Sequence, residues 1–447
     1  MFWSLALACA LAAQADEPKV KASPDAKAAP DAAAAEREAA RKKLEEDVTR
    51  LINRYVRGDL QQKQQVIQEL LDKGPDILEV LPPIDEAASA DRKQLLEAVR
   101  PKLEKQLAEA AGKATLVSLK GEMPLSQALA ALEKQSGNKI VDQRGDEAAD
   151  PTIKVNVEKV PFWQALDGVL DVSGLTTNLY ADQPGVAVVM RPEGEIAHSE
   201  RRVAYSGPFR LEVTGVESRR STRMRDRQAM RLGLEVAWES RLAPISLRLP
   251  LADVKATDDQ GNPIAVSGEG VSETSATPGT FGQELNVPLA LPSRDVKKIA
   301  SLKGTMEVLL PGRTSTFKFE KIKRGDPELK NPLASQRQSG VQVILHRIVQ
   351  NGEVWQVGIV LRFDKSQGAL ASYRDWYAAN PTYLLDAEGK KIDWDGQELY
   401  RRTEDDVGML YSYDLPNGPD GLTLVYQTPS LIMNLPVTFE IKDIELP

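Results

Sequence analysis

A duplicated segment in the middle of the chain constrains the fold more than any other feature. Pro124, Gln127, Ala128, Leu129, Ser136 and Gly137 recur as Pro161, Gln164, Ala165, Leu166, Ser173 and Gly174, each 37 residues further on. Each copy reads strand, helix, strand. Stretches 115–119 and 153–157 supply the opening strands, and the second alternates strictly, which buries one face and wets the other. Pro124 and Pro161 open the helices at a first-turn position where a missing N–H costs nothing. Leu125, Ala128, Leu129 and Leu132 then fall at helical spacing, as do Phe162, Ala165, Leu166, Val169 and Leu170. Gly137 and Gly174 close the helices in the left-handed conformation. Strands follow at 138–141 and 175–180, with one more at 186–190.

On these residues the stretch resembles the short N-terminal domain shared by secretins and TonB-dependent receptors, the STN domain. The likeness rests on the Pro-x-x-x-Ala-Leu helix openings, Ser-Gly at the helix ends and an apolar strand before each helix. It covers roughly one sixth of the chain. The resemblance implies a small βαβ-type module of the cell envelope that packs against partner proteins and brings no catalytic residues. The chain departs from the family in that its later strands do not read as an outer-membrane barrel, which argues against a pore or receptor.

The 447 residues exceed one ordinary core and predict about three to four domains. A net charge of −8 and a pI near 5.3 argue against nucleic-acid binding, which needs a basic surface to release counterions. Residues 1–15 are apolar and uncharged and end Ala13-Gln14-Ala15, the small-x-small pattern of a signal peptide, although a basic start is missing. Export to the periplasm or the exterior follows. Cys9 lies inside this segment, so the mature chain has no thiol chemistry and lipidation is a minor alternative. No later run of about 18 apolar residues exists to span a membrane.

In chain order, 16–35 reads as a flexible tether rich in Ala, Pro, Lys and Asp. Residues 36–112 are helical, with apolar stripes broken at Gly58-Asp59, Gly74-Pro75 and Pro82-Pro83, and a kink expected at Pro101. A three-helix bundle or spacer and a HEAT-type hairpin both fit. The duplicated unit occupies 113–191. Two β-rich stretches, 200–325 and 336–447, then resemble each other. Leu232-Gly233-Leu234-x-Val236-x-Trp238 matches Val357-Gly358-Ile359-x-Leu361-x-Phe363. Asp258-x-x-Gly261-x-x-Ile264 matches Asp386-x-x-Gly389-x-x-Ile392, and Phe317-x-Phe319-x-x-Ile322 matches Phe439-x-Ile441-x-x-Ile444. The expected fold is therefore α+β and multidomain: helical bundle, βαβ-repeat module and two tandem immunoglobulin-like β-sandwiches, with one large β domain as the alternative.

Reactive motifs are scarce. The two histidines, His198 in a linker and His346 in a strand, have no ligand at metal spacing, and no nucleophile elbow or phosphate loop is present. Asp393-Trp394-Asp395-Gly396 resembles half a calcium loop, but an acidic turn explains it as well. No catalytic, cofactor or metal residue is assigned. Arg219, Arg220, Arg223, Arg225, Arg227 and Arg231 crowd one segment, as a contact for an acidic partner or as solvated arginines paired with Glu212, Glu217 and Glu235. Trp376, Tyr377 and Trp394 form a possible stacking platform or belong to a core. The expected function is a non-catalytic envelope scaffold or adaptor contacting an envelope protein. The alternatives are a glycan- or anionic-polymer-binding protein and an enzyme with a carboxylate site.

Overall fold

The computed structural model describes residues 29–82, 89–145, 148–221, 223, 228–363 and 375–447. The expected signal segment and most of the tether lie outside them, as do Arg225 and Arg227. The tether is shorter than its composition suggests, because helix α1 (Ala29–Arg57) begins inside it. Alanine carries the highest helix propensity, which here overrides the neighbouring proline and aspartate. α2 (Leu60–Asp72) opens with a reciprocal cap: the Asp59 carboxylate accepts from the Gln62 amide, and Gln62 accepts from the Asp59 N–H. Helix α3 (Ala90–Ala111) runs on through Pro101. Val48, Ile52 and Tyr55, then Val66 and Leu70, then Leu95, Val99 and Leu103 bring the three helices onto one core.

The duplicated unit comprises β1 (Leu116–Pro124), α4 (Leu125–Ser136), β2 (Ile140–Asp142), β3 (Thr152–Pro161), α5 (Phe162–Ser173), β4 (Leu175–Asn178) and β5 (Val186–Met190). The two helices span equivalent positions, and both end on left-handed glycines, Gly137 (φ +71°) and Gly174 (φ +67°). Pro124 and Pro161 sit one place earlier than expected, as the last residues of their strands and N-caps of the helices. Their extended ψ lets the strand run directly into the helix. β1 pairs with β3, while β5 lies between β2 and β4.

The first β-rich stretch holds β6 (Val203–Ser206), β7 (Phe209–Arg220), β8 (Gln228–Trp238), β9 (Ser246–Pro250), β10 (Lys255–Asp258), β11 (Pro263–Ile264), β12 (Val271–Ser275), β13 (Gly282–Leu289) and β14 (Lys298–Phe319). The second holds β15 (Ala334–Gln338), β16 (Val341–Asn351), β17 (Val354–Phe363), β18 (Thr382–Leu385), β19 (Lys391–Ile392), β20 (Gly396–Arg402), β21 (Asp406–Tyr413) and β22 (Thr423–Glu445). The internal likeness is physical. One sheet runs β13-β8-β7-β6 and another β20-β21-β17-β16-β15, in corresponding order. A bulge follows Val213 in β7 and Leu345 in β16, each opposite the glycine of the matched motif, Gly233 or Gly358. Both Asp-x-x-Gly pieces are the same turn: Asp258 accepts from the Gln260 and Asn262 amides, and Asp386 from those of Glu388 and Lys390.

The expected separation into two sandwiches, each closed within its own stretch, requires a correction. β14 and β22 pair antiparallel along their whole length, from Lys298 opposite Glu445 to Phe319 opposite Leu424, in one eight-stranded sheet shared by both stretches. Each long strand starts in its own core and ends in the other. Leu302, Met306, Val308 and Leu310 pack in the first core; Leu309, Phe317 and Phe319 pack in the second. Leu424, Tyr426 and Ile432 stay in the second, and Met433, Leu435, Val437, Phe439 and Ile441 cross into the first. Thus the matched motifs at Phe317 and Phe439 fill opposite cores. Side chains alternate across a strand, so Val308 and Leu309 place the two cores against opposite faces of the shared sheet.

The helical segment docks where the long strands cross. Leu107 of α3 packs on both the helical and the first β core, and Leu431, in the left-handed region at φ +54°, joins the helical core. Gly312 makes room for them: a Cβ there would lie 2.7 Å from Leu107 Cδ2 and 3.0 Å from Leu431 Cβ. Arg313 beside it bridges to Glu79 at 2.8 Å and Asp76 at 2.5 Å. Gly312→Ala is expected to destabilise the protein by about 1–3 kcal/mol through overpacking. In a double-mutant cycle read by urea unfolding, Leu107→Ala should recover part of that loss; strict additivity would contradict the contact.

Candidate functional site

The densest grouping of ionisable side chains lies where α5 meets β6 and β7. α5 is apolar on most of its surface, yet it carries Asp167 and Asp171 one turn apart. At the corresponding positions of the first copy stand Ala130 and Lys134. The acids therefore belong to the second copy alone, and the chain that follows wraps onto them. Asp167 Oδ2 accepts from the Tyr205 hydroxyl at 2.6 Å and lies 3.0 Å from Arg210 Nε. Arg210, only 1% exposed, also pairs with Glu212, which Arg201 approaches at 3.4 Å. Arg201 in turn reaches Glu195 at 2.5 Å. Two buried acids thus flank the Arg210 guanidinium, the arrangement that buried charge requires.

Asp171 gathers the other half of the cluster. It accepts from the backbone amides of His198 (2.7 Å) and Ser199 (2.9 Å), from His198 Nδ1 at 2.9 Å, and from Arg191 at 2.7 Å. Burial alone would raise its carboxyl, but these donors outweigh it and hold the group at about 2. His198, expected as an unremarkable linker residue, is fully buried between the two aspartates. Its Nε2 stands 3.8 Å from Asp167 Oδ1, and neither atom has a hydrogen-bond partner among the described residues. Burial pushes the imidazole below its ordinary value; Asp167 and Asp171 pull it upward, and Arg201 and Arg210 oppose them. Burial also raises the carboxyl of Glu235, which accepts from the Tyr180 hydroxyl at 3.1 Å.

A second polar joint ties the unit to the end of β8. Glu239 is fully buried and accepts from the Thr115 amide and hydroxyl, the Asn138 side chain and Arg241 Nε. Trp163 donates to the Pro208 carbonyl at 3.1 Å, and Leu179 occupies the space that a side chain at Gly282 would need. Asp167 and Glu239, at the centres of the two joints, are buried, and these contacts fix one unit against the other. The Asp167 and Asp171 side chains are 5% and 16% exposed. Among the described residues no group of His, Cys, Asp and Glu is arranged to hold a metal ion. No helix among them is long and apolar enough to cross a membrane.

No protein family, no curated protein and no solved structure matches this chain. The residues singled out in the sequence must therefore be judged by position alone. Arg219, Arg220 and Arg231 lie on the β7–β8 hairpin, exposed, with Arg223 in its turn. Arg220 donates to the Pro292 carbonyl at 3.0 Å. The acids expected to neutralise them are largely engaged elsewhere: Glu212 serves the buried cluster, Glu235 faces Tyr180, and only Glu217 stands opposite Arg231. The aromatic platform is not assembled. Tyr377 is 1% exposed and lies in the second core beside the Arg402 guanidinium, and Trp376 packs edge-on against it and Phe363. Trp376 and Trp394 are both half-buried, and Trp394 leans on Tyr411. His346 is a packed strand residue held between the Tyr400 hydroxyl and the Pro327 carbonyl. The Asp393–Asp395 piece is a linker between strands, with Asp393 paired to Lys391.

The buried cluster fixes the sign of the pH response. A histidine harder to protonate in the folded than in the unfolded chain stabilises fully above its unfolded value, about 6.5, and loses that contribution as pH falls below it. Asp171, depressed to about 2, contributes above its unfolded value and loses the contribution only as pH falls toward 2. The urea midpoint should therefore drop between about pH 7.5 and 5.5, and drop less in His198→Gln. Equal drops in both proteins would contradict the placement of His198.

Proposed function

We propose that this chain is an exported, non-catalytic protein of the cell envelope that acts as a scaffold or adaptor. It docks a partner protein through the duplicated unit, an STN-like module, while the two sandwich-like β lobes and the helical segment form its rigid frame. The supporting observation is the distribution of apolar surface. Eight large hydrophobic side chains stay exposed among the described residues, and five of them, Leu116, Val172, Tyr180, Met190 and Ile196, belong to the unit or the chain just after it. Val172 lies two residues before Gly174 and Met190 one before Arg191, whose amide donates to the Gly174 carbonyl at 3.2 Å. Exposed apolar groups gathered on one module mark an interaction surface, whereas scattered ones need no explanation. The joints described above hold this module in a single orientation against β6–β8.

A second reading is contact with an anionic polymer through the hairpin. It draws on Arg219 and Arg231, which are exposed and have no ion-pair partner among the described residues. Glycan stacking through Trp376, Tyr377 and Trp394 draws less support, because Tyr377 is buried and Trp376 packs edge-on against it and Phe363.

Photo-crosslinking in intact cells separates the two. A photoreactive residue at Val172 or Met190 is expected to give a discrete protein adduct that the same residue at Leu60 does not give. Adducts from position 219 alone, to polysaccharide rather than protein, would favour the second reading. No adduct from 172 or 190 would overturn the first.

A further inference from the structure

A cavity of about 330 Å³ opens near the turn of the β7–β8 hairpin, between the hairpin, the loop from β13 to β14 and the end of β22. Three cations line it: Arg220 of β7, and Arg294 and Lys297 of the loop, all at exposed positions. Two of them are tied to the loop itself. Arg220 Nη2 donates to the Pro292 carbonyl at 3.0 Å, and Lys297 Nζ donates to the Arg294 carbonyl at 3.3 Å. Those carbonyls belong to residues two apart, whose Cα atoms lie within about 8 Å of each other. Two charged heads are thus held on one short stretch by neutral acceptors. None of the three cations has an ion-pair partner among the described residues. The neighbouring acids are engaged otherwise. Asp259 accepts from the Lys297 backbone amide at 3.1 Å, Asp443 takes Lys298, and Glu445 faces Arg202 at 3.9 Å. Asp295, in the loop, is exposed and does not line the cavity. A carboxylate at Pro447, where the sequence stops, offsets at most one of the three charges. In a chain of net charge −8, a cavity lined by one positive sign concentrates anions.

We propose that this cavity binds the phosphate group of a small phosphate ester. A guanidinium fork matches phosphate oxygens two at a time, and a lysine beside it serves as a point charge. A phosphate monoester carries about −1.5 to −2 near neutrality on three oxygens, enough to engage Arg220 and Lys297 together, whereas a carboxylate brings one charge on two oxygens. Ser218 also lines the cavity; it stands opposite Met230 in the strand register and on the same face as Arg220. A hydroxyl there adds a donor whose strength does not depend on charge. The space exceeds what a bare phosphate needs. Leu291, Pro292 and Leu446 give it an apolar wall, which suits the carbon skeleton of an ester. The site uses none of Val172, Met190, Arg219 or Arg231, so it stands or falls apart from partner docking and from polymer contact.

Phosphorus NMR of inorganic phosphate and of glycerol 3-phosphate, each titrated with the full chain at constant ionic strength, provides the test. Both signals are expected to broaden in a saturable way, the ester at lower protein concentration. Arg220→Gln and Lys297→Gln should each weaken binding about tenfold, the loss of one charge-assisted hydrogen bond. Lys255→Gln removes the same charge from an exposed position in the same lobe and should change the affinity less than about twofold. Acetate at the same concentration should not displace either phosphate. Absence of broadening with the unaltered protein, a readout that needs no variant to fold, would overturn the site. Full affinity in Arg220→Gln and Lys297→Gln would do the same. Equal losses in all three variants would reduce the effect to overall charge and overturn it too, as would displacement by acetate.

Discussion

The rest of the structure hangs on the backbone pairing of β14 with β22. A usual strand is about 17–20 Å long, whereas twenty-odd residues at about 3.3 Å each extend close to 70 Å. A strand of that length outruns a single core. Here each strand serves two, and because the partners run antiparallel, each core receives the start of one and the end of the other. The hydrophobic burial that stabilises either lobe is thus shared with its neighbour. Neither stretch of sequence contains all the strands that complete its core.

This exchange explains which parts of the fold could be read from the amino-acid sequence. The helix-strand unit was legible because proline, Ser-Gly and the apolar spacing all act locally, and its helices fall at equivalent positions. The Asp-x-x-Gly turns were legible for the same reason. The internal likeness of the β stretches was visible, but the crossing of their last strands was not. An alternating pattern tells which residues share a face and not which core that face meets: Phe317 and Phe439 look equivalent and fill opposite cores. Alanine-rich composition also misread the tether, whose second part is helix.

The polar joints were less legible still. Asp167 and Asp171 carried one local signal, two acids a turn apart in an otherwise apolar helix. Their partners His198, Tyr205 and Arg210 come from a later part of the chain and leave no spacing to read. The same holds for Glu239, whose partners Thr115 and Asn138 lie more than a hundred residues earlier. Of the conspicuous features of the sequence, the described part of the arginine run lies on a hairpin surface, and of the aromatic group Tyr377 is buried while Trp376 and Trp394 are half-buried. Charge and aromatic content announce themselves in a sequence, while burial and complementarity do not. The result is a frame in which each unit is locked to the next: helices at the strand crossing, the duplicated unit by buried ions, and the two lobes by one sheet.

Hydrogen exchange measured by mass spectrometry on the strands 298–319 and 423–445 tests this account most directly. If the long pair joins both cores, its amides should open in one cooperative step together with β8 and β17, at a single free energy. Exchange of 298–310 and 433–445 with β8, at a free energy separate from that of 314–319 and 423–430 with β17, would show two independent lobes and contradict it.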